Sequence, residues 1–530
     1  MSVTENLMNQ KVSRRTAIRG AAVGGAGLAA AALIGCSDDD GDSGFSGEGL
    51  TGGDLVVGTG NDLNPKGVPF RLQASTTGMV VAAVFATLLR YEEKIEVTPY
   101  MAESFSIADD AMSAELKLRE GITFHNGRPF TTADIEWNLT KATEPEQRSQ
   151  VGQIAAGIEK FVIADDLNIR FEFSRPMANF ADLLVITAMA DPDTFDLIAE
   201  GNFNGTGPFV LSEWKPKELV RLTRNENFFG DAAILDSVTF QQFQDNQAQG
   251  IALEAGDIHY IHEQVPPEDY ERWNAGSDIK VHASIERGSG WYFGINTKIA
   301  PMDDVRVRKA MNLAMNRERY LNEVLLIGRV MTTPWPTYSP AFDEDLDSQI
   351  KFDLDEAKKL LAEAGYPDGL PEPVQCTLLP TRLAQVRCGE IWQADLAKIG
   401  INLEFVQTEY AEMISMLSSG GFLATWVGFG YGFAQFQPAT MVQTAFPLRY
   451  PNTSNHDTQE WIDAVEAVKN ASGSEKELKE VYDQYTQAFI DGHFVLPFSP
   501  RTALNARANN VEHWLDFRGS PFFERFGFSS

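Results

Sequence analysis

The chain alternates between two kinds of spacing of its apolar residues. Residues 169–173 alternate apolar and polar side chains, as a half-buried β-strand does. Residues 355–364 repeat apolar side chains at helical spacing and stop at Gly365, and residues 383–398 form a second helical stretch followed by the strand-like residues 401–406. Strands that alternate with helices in this way predict an α/β fold. The sequence contains no repeat of fixed period, which excludes solenoids and propellers.

Three further segments carry clear patterns. Residues 114–118 alternate like a second strand. Residues 131–139 begin with two threonines and an aspartate before their apolar positions, which is typical of the start of a helix. Together these segments predict an α+β region in the first half of the chain. The apolar spacing of residues 305–327 predicts one long helix.

The N-terminus has the pattern of an export signal. Arg14 and Arg15 precede an apolar stretch, residues 21–35, that is too short and too weakly apolar to span a bilayer comfortably. The stretch ends in a Leu-Ile-Gly-Cys sequence that resembles the lipobox of bacterial lipoproteins. We therefore interpret residues 1–35 as a twin-arginine-type lipoprotein signal peptide and expect Cys36 to be lipidated. The alternative, an ordinary N-terminal anchor helix, leaves Cys36 without a role.

The composition fits a protein that works in water outside the cytoplasm. Residues 36–53 are mostly Gly, Ser and Asp, and we interpret them as a flexible tether. The 74 acidic and 44 basic residues give a net charge of −30, which repels phosphate backbones and argues against a nucleic-acid partner. An apolar content of 43% is enough for large cores and excludes a mainly disordered chain. We expect the protein in the periplasm or at the cell surface, anchored to the membrane by lipidated Cys36.

One family signature is readable in the sequence. Residues 117–134, KLREGITFHNGRPFTTAD, resemble the signature of extracellular solute-binding protein family 5, the peptide- and nickel-type binding proteins of ABC importers. Further matching blocks follow in the order of the family, at residues 205–209, 222–225, 293–297, 303–310, 357–367 and 494–498. The resemblance covers nearly all of residues 54–530. Most blocks are explained by turns and buried helix faces, so we interpret them as markers of the fold.

The resemblance implies an α/β, two-lobe fold like that of periplasmic binding proteins, with an extra α+β domain on the first lobe and the ligand in the interlobe cleft. It divides the chain into lobe I at residues 54–92, 186–296 and 497–530, extra domain II at residues 93–185, and lobe III at residues 297–496. Two chain crossings, near residues 294–296 and 496–497, are expected to form a hinge that closes on the ligand.

From this resemblance we expect a lipid-anchored, extracytoplasmic solute-binding component of an ABC importer of the peptide/nickel type. The expected partners are a small-molecule solute, a permease with its ATPase, and the membrane through the lipid anchor. We expect a monomer with no cofactor and no catalytic residue. A secreted hydrolase on the same fold is the alternative from another class, but residues 425–437 offer neither a nucleophile–base pair nor paired carboxylates. A sensor that feeds no permease is a further alternative.

The richest candidate ligand site is the segment 425–437, TWVGFGYGFAQFQ, in which glycines alternate with aromatic residues. Glycines let the backbone approach a ligand closely, and rings supply apolar contact. From this segment we expect the ligand contacts Trp426, Tyr431, Phe433 and Gln435. We also expect Tyr292 to face the ligand while Trp291 and Phe293 pack, because neighbouring residues of a strand face opposite sides. Burial of all three in a core is the alternative.

The same segment contains no acidic residue, whereas peptide-binding relatives place an Asp there to pair with the α-ammonium group of the peptide. An ammonium group buried without a counter-charge is strongly penalised. We therefore expect a neutral or anionic small molecule rather than a free peptide held by its N-terminus. Arg382 lies near the position where dipeptide-binding relatives hold a carboxylate, and we expect it to contact the ligand. A solvated surface position is the alternative for Arg382 and the favoured interpretation for Arg387.

The histidines and cysteines leave several possibilities open. His259 and His262 form an H-x-x-H pattern; a strand places them on opposite sides, so we expect no metal site, and a turn that brings both imidazoles to one side is the alternative. His456 lies in a polar segment typical of turns, from which it could also reach the ligand. Cys376 and Cys388 form either a disulfide or two buried thiols, because the sequence fixes no distance between them.

Overall fold

A computed structural model describes residues 47–66, 68–70, 75–92, 96–263, 265–276, 278–284, 286, 289–380, 382–428, 430, 436–513, 515 and 520–529. The predicted signal peptide, Cys36 and most of the predicted tether lie outside these residues. The predicted ligand contacts Tyr431, Phe433 and Gln435 lie outside them as well. The lipidation and these three contacts therefore stay predictions. Among the described residues, no helix has the length and apolar character needed to cross a membrane.

The strands are β1 Leu50–Thr51, β2 Asp54–Thr59, β3 Leu89–Tyr91, β4 Val97–Pro99, β5 Ala102–Ile107, β6 Ser113–Leu118, β7 Ile158–Ile163, β8 Asn168–Phe173, β9 Phe209–Lys215, β10 Leu219–Arg224, β11 Ser237–Gln242, β12 Tyr260–Ile261, β13 Ile279–Ser284, β14 Gly290–Ile295, β15 Val374–Leu378, β16 Leu403–Gln407, β17 Thr425–Gly428, β18 Val495–Pro500, β19 Ala503–Ala508, β20 Val511–Glu512 and β21 Gly527–Ser529. The α-helices are α1 Ser75–Val84, α2 Thr132–Lys141, α3 Gly152–Ala155, α4 Phe180–Ile186, α5 Asn246–Ala255, α6 Pro267–Asn274, α7 Val305–Leu313, α8 Arg317–Tyr320, α9 Glu344–Asp347, α10 Leu354–Glu363, α11 Leu383–Ala397, α12 Tyr410–Ser419, α13 Pro438–Thr444, α14 Gln459–Lys469 and α15 Glu475–Gly492.

The described residues form two compact units. The middle unit comprises residues 285–502, and the outer unit comprises the described residues before 285 together with those from 503 onward. The segments predicted to cross between lobes include Gly294 and Leu496, which lie on β14 and β18; these two strands pair with each other inside the middle unit. The predicted division into lobes I and III and extra domain II stays a prediction.

The outer unit contains a mixed seven-stranded sheet in the order β13-β19-β12-β2-β11-β10-β9 and a four-stranded antiparallel sheet in the order β5-β6-β8-β7. Strands β6 and β8 confirm the alternating patterns of residues 114–118 and 169–173. The start predicted for α2 is also confirmed, since the Thr131 N–H donates to Asp134 Oδ2 at 2.8 Å.

A small third sheet of the outer unit, in the order β1-β21-β20, joins the two ends of the described chain. Leu50 lies opposite Ser529 and Thr51 opposite Phe528. Residues 50–51 were predicted as tether, and in the structure they are part of a strand, because the apolar Leu50 has a partner strand that the sequence pattern alone does not reveal.

The middle unit has a five-stranded sheet in the order β16-β15-β17-β14-β18. Strand β15 is parallel to β16 and β17, whereas β14 is antiparallel to β17 and β18. Two apolar cores pack on this sheet; Phe293 belongs to one of them, with Trp291 packed against it, and Tyr292 belongs to the other. The predicted opposition of Tyr292 to its two neighbours on the strand is thus observed. Helices α10 and α11 and strand β16 confirm the α/β pattern predicted for this part of the chain.

The prediction of one long helix over residues 305–327 is wrong. The segment forms α7, then α8, then a π-type turn at Leu321–Leu325. Between the two helices, the Asn316 side chain accepts a hydrogen bond from the Arg319 N–H at 3.2 Å and so starts a new helix. Apolar spacing that continues across such a cap shows that one side of the segment is buried, but it does not show that the helix is continuous.

Candidate functional site

The two predicted aromatic contacts that the structure describes, Tyr292 and Trp426, lie on adjacent strands. Antiparallel pairing of β14 and β17 places Tyr292 opposite Gly428 and Trp426 opposite Gly294. Each ring occupies the space beside the glycine opposite it, because a methyl group added at either glycine would collide with that ring. Glycine within a strand often marks such a close approach. The two glycines therefore make room for both rings on one face of the sheet.

Both rings are completely buried, with 0% of their surface exposed. Trp426 stacks on Phe422 with ring centroids 4.2 Å apart, and the two residues belong with Tyr292 and Trp335 to one apolar core. Burial raises the pKa of the Tyr292 phenol well above its ordinary value. In this structure both side chains support the core of the middle unit, and a ligand contact from either stays a prediction.

Strand β17, with which the aromatic segment begins, ends at the carboxyl edge of the parallel strands of the middle unit. Because β15, β16 and β17 run in the same direction, their carboxyl ends meet at one edge of the sheet. Helix α11 starts shortly after β15 ends, and Gln385 in its first turn donates from Nε2 to the carbonyl oxygen of Gly428 at 3.3 Å. In α/β sheets, ligands bind at such edges. The structure thus brings the start of α11 to Gly428, the last residue of β17.

Arg382 lies directly before α11, in the position that precedes its first turn. The residue is exposed, and its backbone N–H donates to the Leu379 carbonyl oxygen at 3.1 Å. The first turn of α11 contains no acidic residue, so the positive end of the helix dipole adds to the arginine charge. The same edge also carries Glu409 and Glu412, which follow β16 at the start of α12. Contact between Arg382 and a ligand stays a prediction, and Arg387 is exposed, as expected of a surface residue.

The histidines are used within the fold. His259 Nδ1 accepts from the Val56 N–H at 3.0 Å, and His262 Nδ1 lies 3.2 Å from the Tyr260 hydroxyl. His456 is buried and stacks on Phe494 with ring centroids 4.4 Å apart. Burial lowers the pKa of His456 to about 4. Among the described residues, no group of three or more His, Cys, Asp or Glu side chains is arranged to hold a metal ion.

The two cysteines of the middle unit are free, buried thiols. Cys376 lies on β15 and Cys388 on α11, and burial raises the pKa of each thiol to about 12. Of the two alternatives that the sequence leaves open, the structure has the thiol pair.

The sequence analysis did not predict the hydrogen bond from Gln385 to Gly428 or the close approach of Trp426 to Gly294. Gly294 carried a signal, because a glycine inside the apolar strand sequence WYFGIN points to close approach by a neighbour. Gln385 carried none, since its partner Gly428 is 43 residues further along the chain.

Comparisons with known proteins identify a family. A family model described as bacterial extracellular solute-binding proteins, family 5 Middle, matches residues 96–446. The oligopeptide-binding protein AppA of Bacillus subtilis (strain 168) is 24% identical over 505 residues, which cover 87% of this chain and 91% of AppA. The glutathione-binding protein GsiB of Shigella boydii serotype 4 (strain Sb227) is 25% identical over 379 residues, which cover 69% of this chain and 72% of GsiB.

Solved structures confirm the fold class. The structure of AppA from Bacillus subtilis in complex with a nonapeptide has a TM-score of 0.79 at 21% identity, covering 91% of this chain and 100% of its own. The structure of AgaA from A. tumefaciens R10 in complex with agropinic acid has a TM-score of 0.80 at 20% identity, covering 90% of this chain and 99% of its own. The predicted periplasmic-binding-protein-like α/β fold is thus confirmed. These relatives are binding proteins and not enzymes. Because the family model spans more than half of the sequence, the chain belongs to the bacterial extracellular solute-binding proteins of family 5.

Proposed function

We propose that this protein is the lipid-anchored solute-binding component of an ABC importer of the peptide/nickel type. The observation that carries the proposal is the family match over residues 96–446. In this role the protein captures a small solute outside the cytoplasm and delivers it to a membrane permease with its ATPase. As the family resemblance implies, capture is by hinge closure, in which the solute shifts an open–closed equilibrium.

Relatives of this fold are named for chemically different ligands. AppA was solved with a nonapeptide, GsiB is named for glutathione, and AgaA was solved with agropinic acid. Membership in the family therefore sets the class of protein but leaves the solute to be argued from the residues of this chain.

The proposed solute is a neutral or anionic small molecule without a required free ammonium group. Residues 425–437 contain no Asp or Glu, and Arg382 precedes the first turn of α11, which contains no acidic residue. An ammonium group bound there would be desolvated without a counter-charge, which is costly. The proposed contacts are Trp426, Tyr431, Phe433, Gln435, Tyr292 and Arg382.

A binding panel tests the class and the ligand together. The mature protein is titrated with di- to pentapeptides, with the same peptides N-acetylated, and with small neutral and anionic solutes, using calorimetry and thermal shift. Solute that co-purifies with the protein is identified by mass spectrometry. We expect saturable binding outside the free-peptide set and recovery of chemically unchanged ligand. Tight, sequence-tolerant binding of free peptides, lost on N-acetylation, would contradict the ligand proposal, and release of an altered product would contradict the transport role.

The anchor has its own test. A Cys36→Ala variant and the wild type are expressed in full length, and membrane and soluble fractions are compared after metabolic labelling with a fatty acid. We expect label and membrane association in the wild type and loss of both in the variant. Equal membrane association of the two proteins would overturn lipidation at Cys36 without affecting the solute-binding proposal.

A further inference from the structure

Arg449 is a half-buried arginine of the middle unit with an unusual environment. It follows the C-terminal end of α13, and its backbone N–H donates to the Ala445 carbonyl oxygen at 3.0 Å. Its guanidinium carbon lies 4.6 Å from the ring centroid of Phe446. The Nε atom is buried and finds no hydrogen-bond partner, and within the described residues the guanidinium forms no ion pair. A ring face interacts with the charge but accepts none of its directed N–H bonds in the way an oxygen does.

Two other buried arginines of the same unit have hydrogen-bond acceptors. Arg329 lies between Glu286 and Asp347, with Nη1 2.6 Å from Asp347 Oδ2. Arg317 forms no ion pair among the described residues and its Nη1 has no partner, but it donates from Nε to the Pro497 carbonyl oxygen at 2.7 Å and from Nη2 to Asn312 Oδ1 at 2.5 Å. Burial lowers the pKa of Arg449, and no carboxylate among the described residues counteracts that effect. Arg449 is thus a partly desolvated cation with no anionic partner in the part of the chain that the structure describes.

A structural role at the helix end does not account for this arrangement. A cation near the C-terminus of a helix is usually held there by hydrogen bonds to the last carbonyl groups. The side chain of Arg449 makes no such bond to α13. Replacing a charge of this kind by a neutral side chain is therefore expected to leave the free protein as stable as before, or more stable.

The position of α13 connects Arg449 with the candidate site. The helix starts at Pro438, directly after the aromatic segment 425–437, and its Met441 packs in the same apolar core as Trp426. An element that begins at the candidate site and packs on its buried ring therefore ends at an uncompensated cation.

The geometry points to Arg449 as an anion-recognition residue that pairs with a carboxylate of the bound solute. The inference rests on the proposed solute-binding function and narrows the solute to acids. An arginine without a hydrogen-bond acceptor among the described residues offers its planar N–H fork to such a group, and the carboxylate supplies the acceptors.

The test uses matched probes and matched variants. The probes are aromatic carboxylic acids, each paired with its own primary amide, N-acetyl-tryptophan with N-acetyl-tryptophanamide among them. The proteins are the wild type, Arg449→Gln, Arg449→Lys, and the control Arg306→Gln, which removes an exposed arginine of the same unit paired with Asp304. Affinity is measured by calorimetry, and the melting temperature is measured without ligand.

We expect the wild type and the control to prefer an acid over its amide. In Arg449→Gln the affinity for the acid falls about 10- to 100-fold, the loss typical of hydrogen bonds to a charged group, while the affinity for the amide is unchanged. Arg449→Lys retains part of the preference, and the melting temperature of ligand-free Arg449→Gln is not lowered. Retained preference in Arg449→Gln, or equal binding of acids and amides by the wild type, overturns the role of Arg449 while solute binding stands. A failure of every probe, with no solute bound in the wider panel either, overturns both proposals.

Discussion

Trp426 lies against Gly294, the residue opposite it on the neighbouring strand, and its indole fills the space that a side chain at position 294 would need. The same relationship, with the strands exchanged, holds Tyr292 against Gly428. Two rings are thereby locked across β14 and β17, at the strand from which the candidate ligand segment continues. The position of the rings depends on glycine at both places.

Gly294→Ala is expected to destabilise the protein by about 1–3 kcal/mol, because the new methyl group overpacks a core that has no free space beside Trp426. The free energy of unfolding is measured in urea by tryptophan fluorescence. The control is Gly250→Ala on α5, where the nearest atom to the added methyl group is Asp269 Oδ2 at 3.4 Å, an ordinary contact. A helical Gly→Ala change there is expected to be neutral or stabilising by up to about 1 kcal/mol. Equal effects of the two substitutions would contradict the proposed packing.

Arg329→Met is expected to cost about 3–5 kcal/mol of folding free energy. It leaves Glu286 and Asp347 as buried carboxylates without their cation. The control is Arg170→Met, which breaks an exposed pair with Glu115 and is expected to cost at most about 1 kcal/mol. Similar losses in the two variants would argue against a buried network.

Stability should fall as the pH drops below about 6.5, the ordinary pKa of histidine. Burial, reinforced by the nearby cations Lys309, Arg308 and Arg317, lowers the pKa of His493 to about 3. The fold therefore holds this imidazole neutral, with Nδ1 3.1 Å from Asn312 Nδ2. Since the unfolded chain takes up a proton at higher pH than the folded one, the stabilisation is complete above pH 6.5 and is lost progressively on acidification.

Urea unfolding at pH 7.5, 6.5, 5.5 and 5.0 measures this effect. Each such histidine contributes a slope of at most about 1.4 kcal/mol per pH unit. His493→Asn keeps a residue that tolerates the left-handed backbone at this position, where φ is 44°, and removes the titration. The variant should show a shallower pH dependence than the wild type. An unchanged slope would mean that His493 is already free to protonate in the folded state.

Neither Cys376 nor Cys388 should react with a thiol reagent while the protein is folded, because both are buried and a raised pKa leaves little thiolate. Both should react once guanidinium unfolds the chain. Mass measurement under non-reducing conditions checks the state directly. A mass two hydrogens below that of the reduced protein, with no reactive thiol after unfolding, would instead indicate a disulfide.

The sequence pattern correctly predicted the strands and helices that depend on residues close together in the chain. The strand at residues 169–173 and the helix ending before Gly365 follow from alternation and a glycine stop, and both are observed. The break near Asn316 was missed, since burial on one face continues through it. Elements that depend on distant partners, such as β1 against β21, could not be read from the sequence.

The candidate site shows the same limit. The aromatic and glycine pattern drew attention to β17, which ends at the carboxyl edge of the parallel strands, but it could not distinguish a buried ring such as Trp426 from an exposed contact. Arg449 is distinctive because its guanidinium forms no ion pair with the described residues. The residues next to it in the sequence do not indicate this. Arg329 likewise finds its two carboxylates 43 residues upstream and 18 residues downstream.

The pairing of β1 with β21 determines which part of the structure first resists a force applied through the N-terminal segment. If Cys36 is fixed in a membrane, the chain between it and Leu50 can span at most about 50 Å. A force applied through Cys36 acts first on the short ladder between Leu50–Thr51 and Phe528–Ser529, in the outer unit. The middle unit, which contains β17 and Arg449, is connected to Leu50 along the chain only through residues of the outer unit. Thermal motion of an anchored molecule would thus exert its force on the outer unit, whereas the residues proposed to recognise the solute belong to the middle unit.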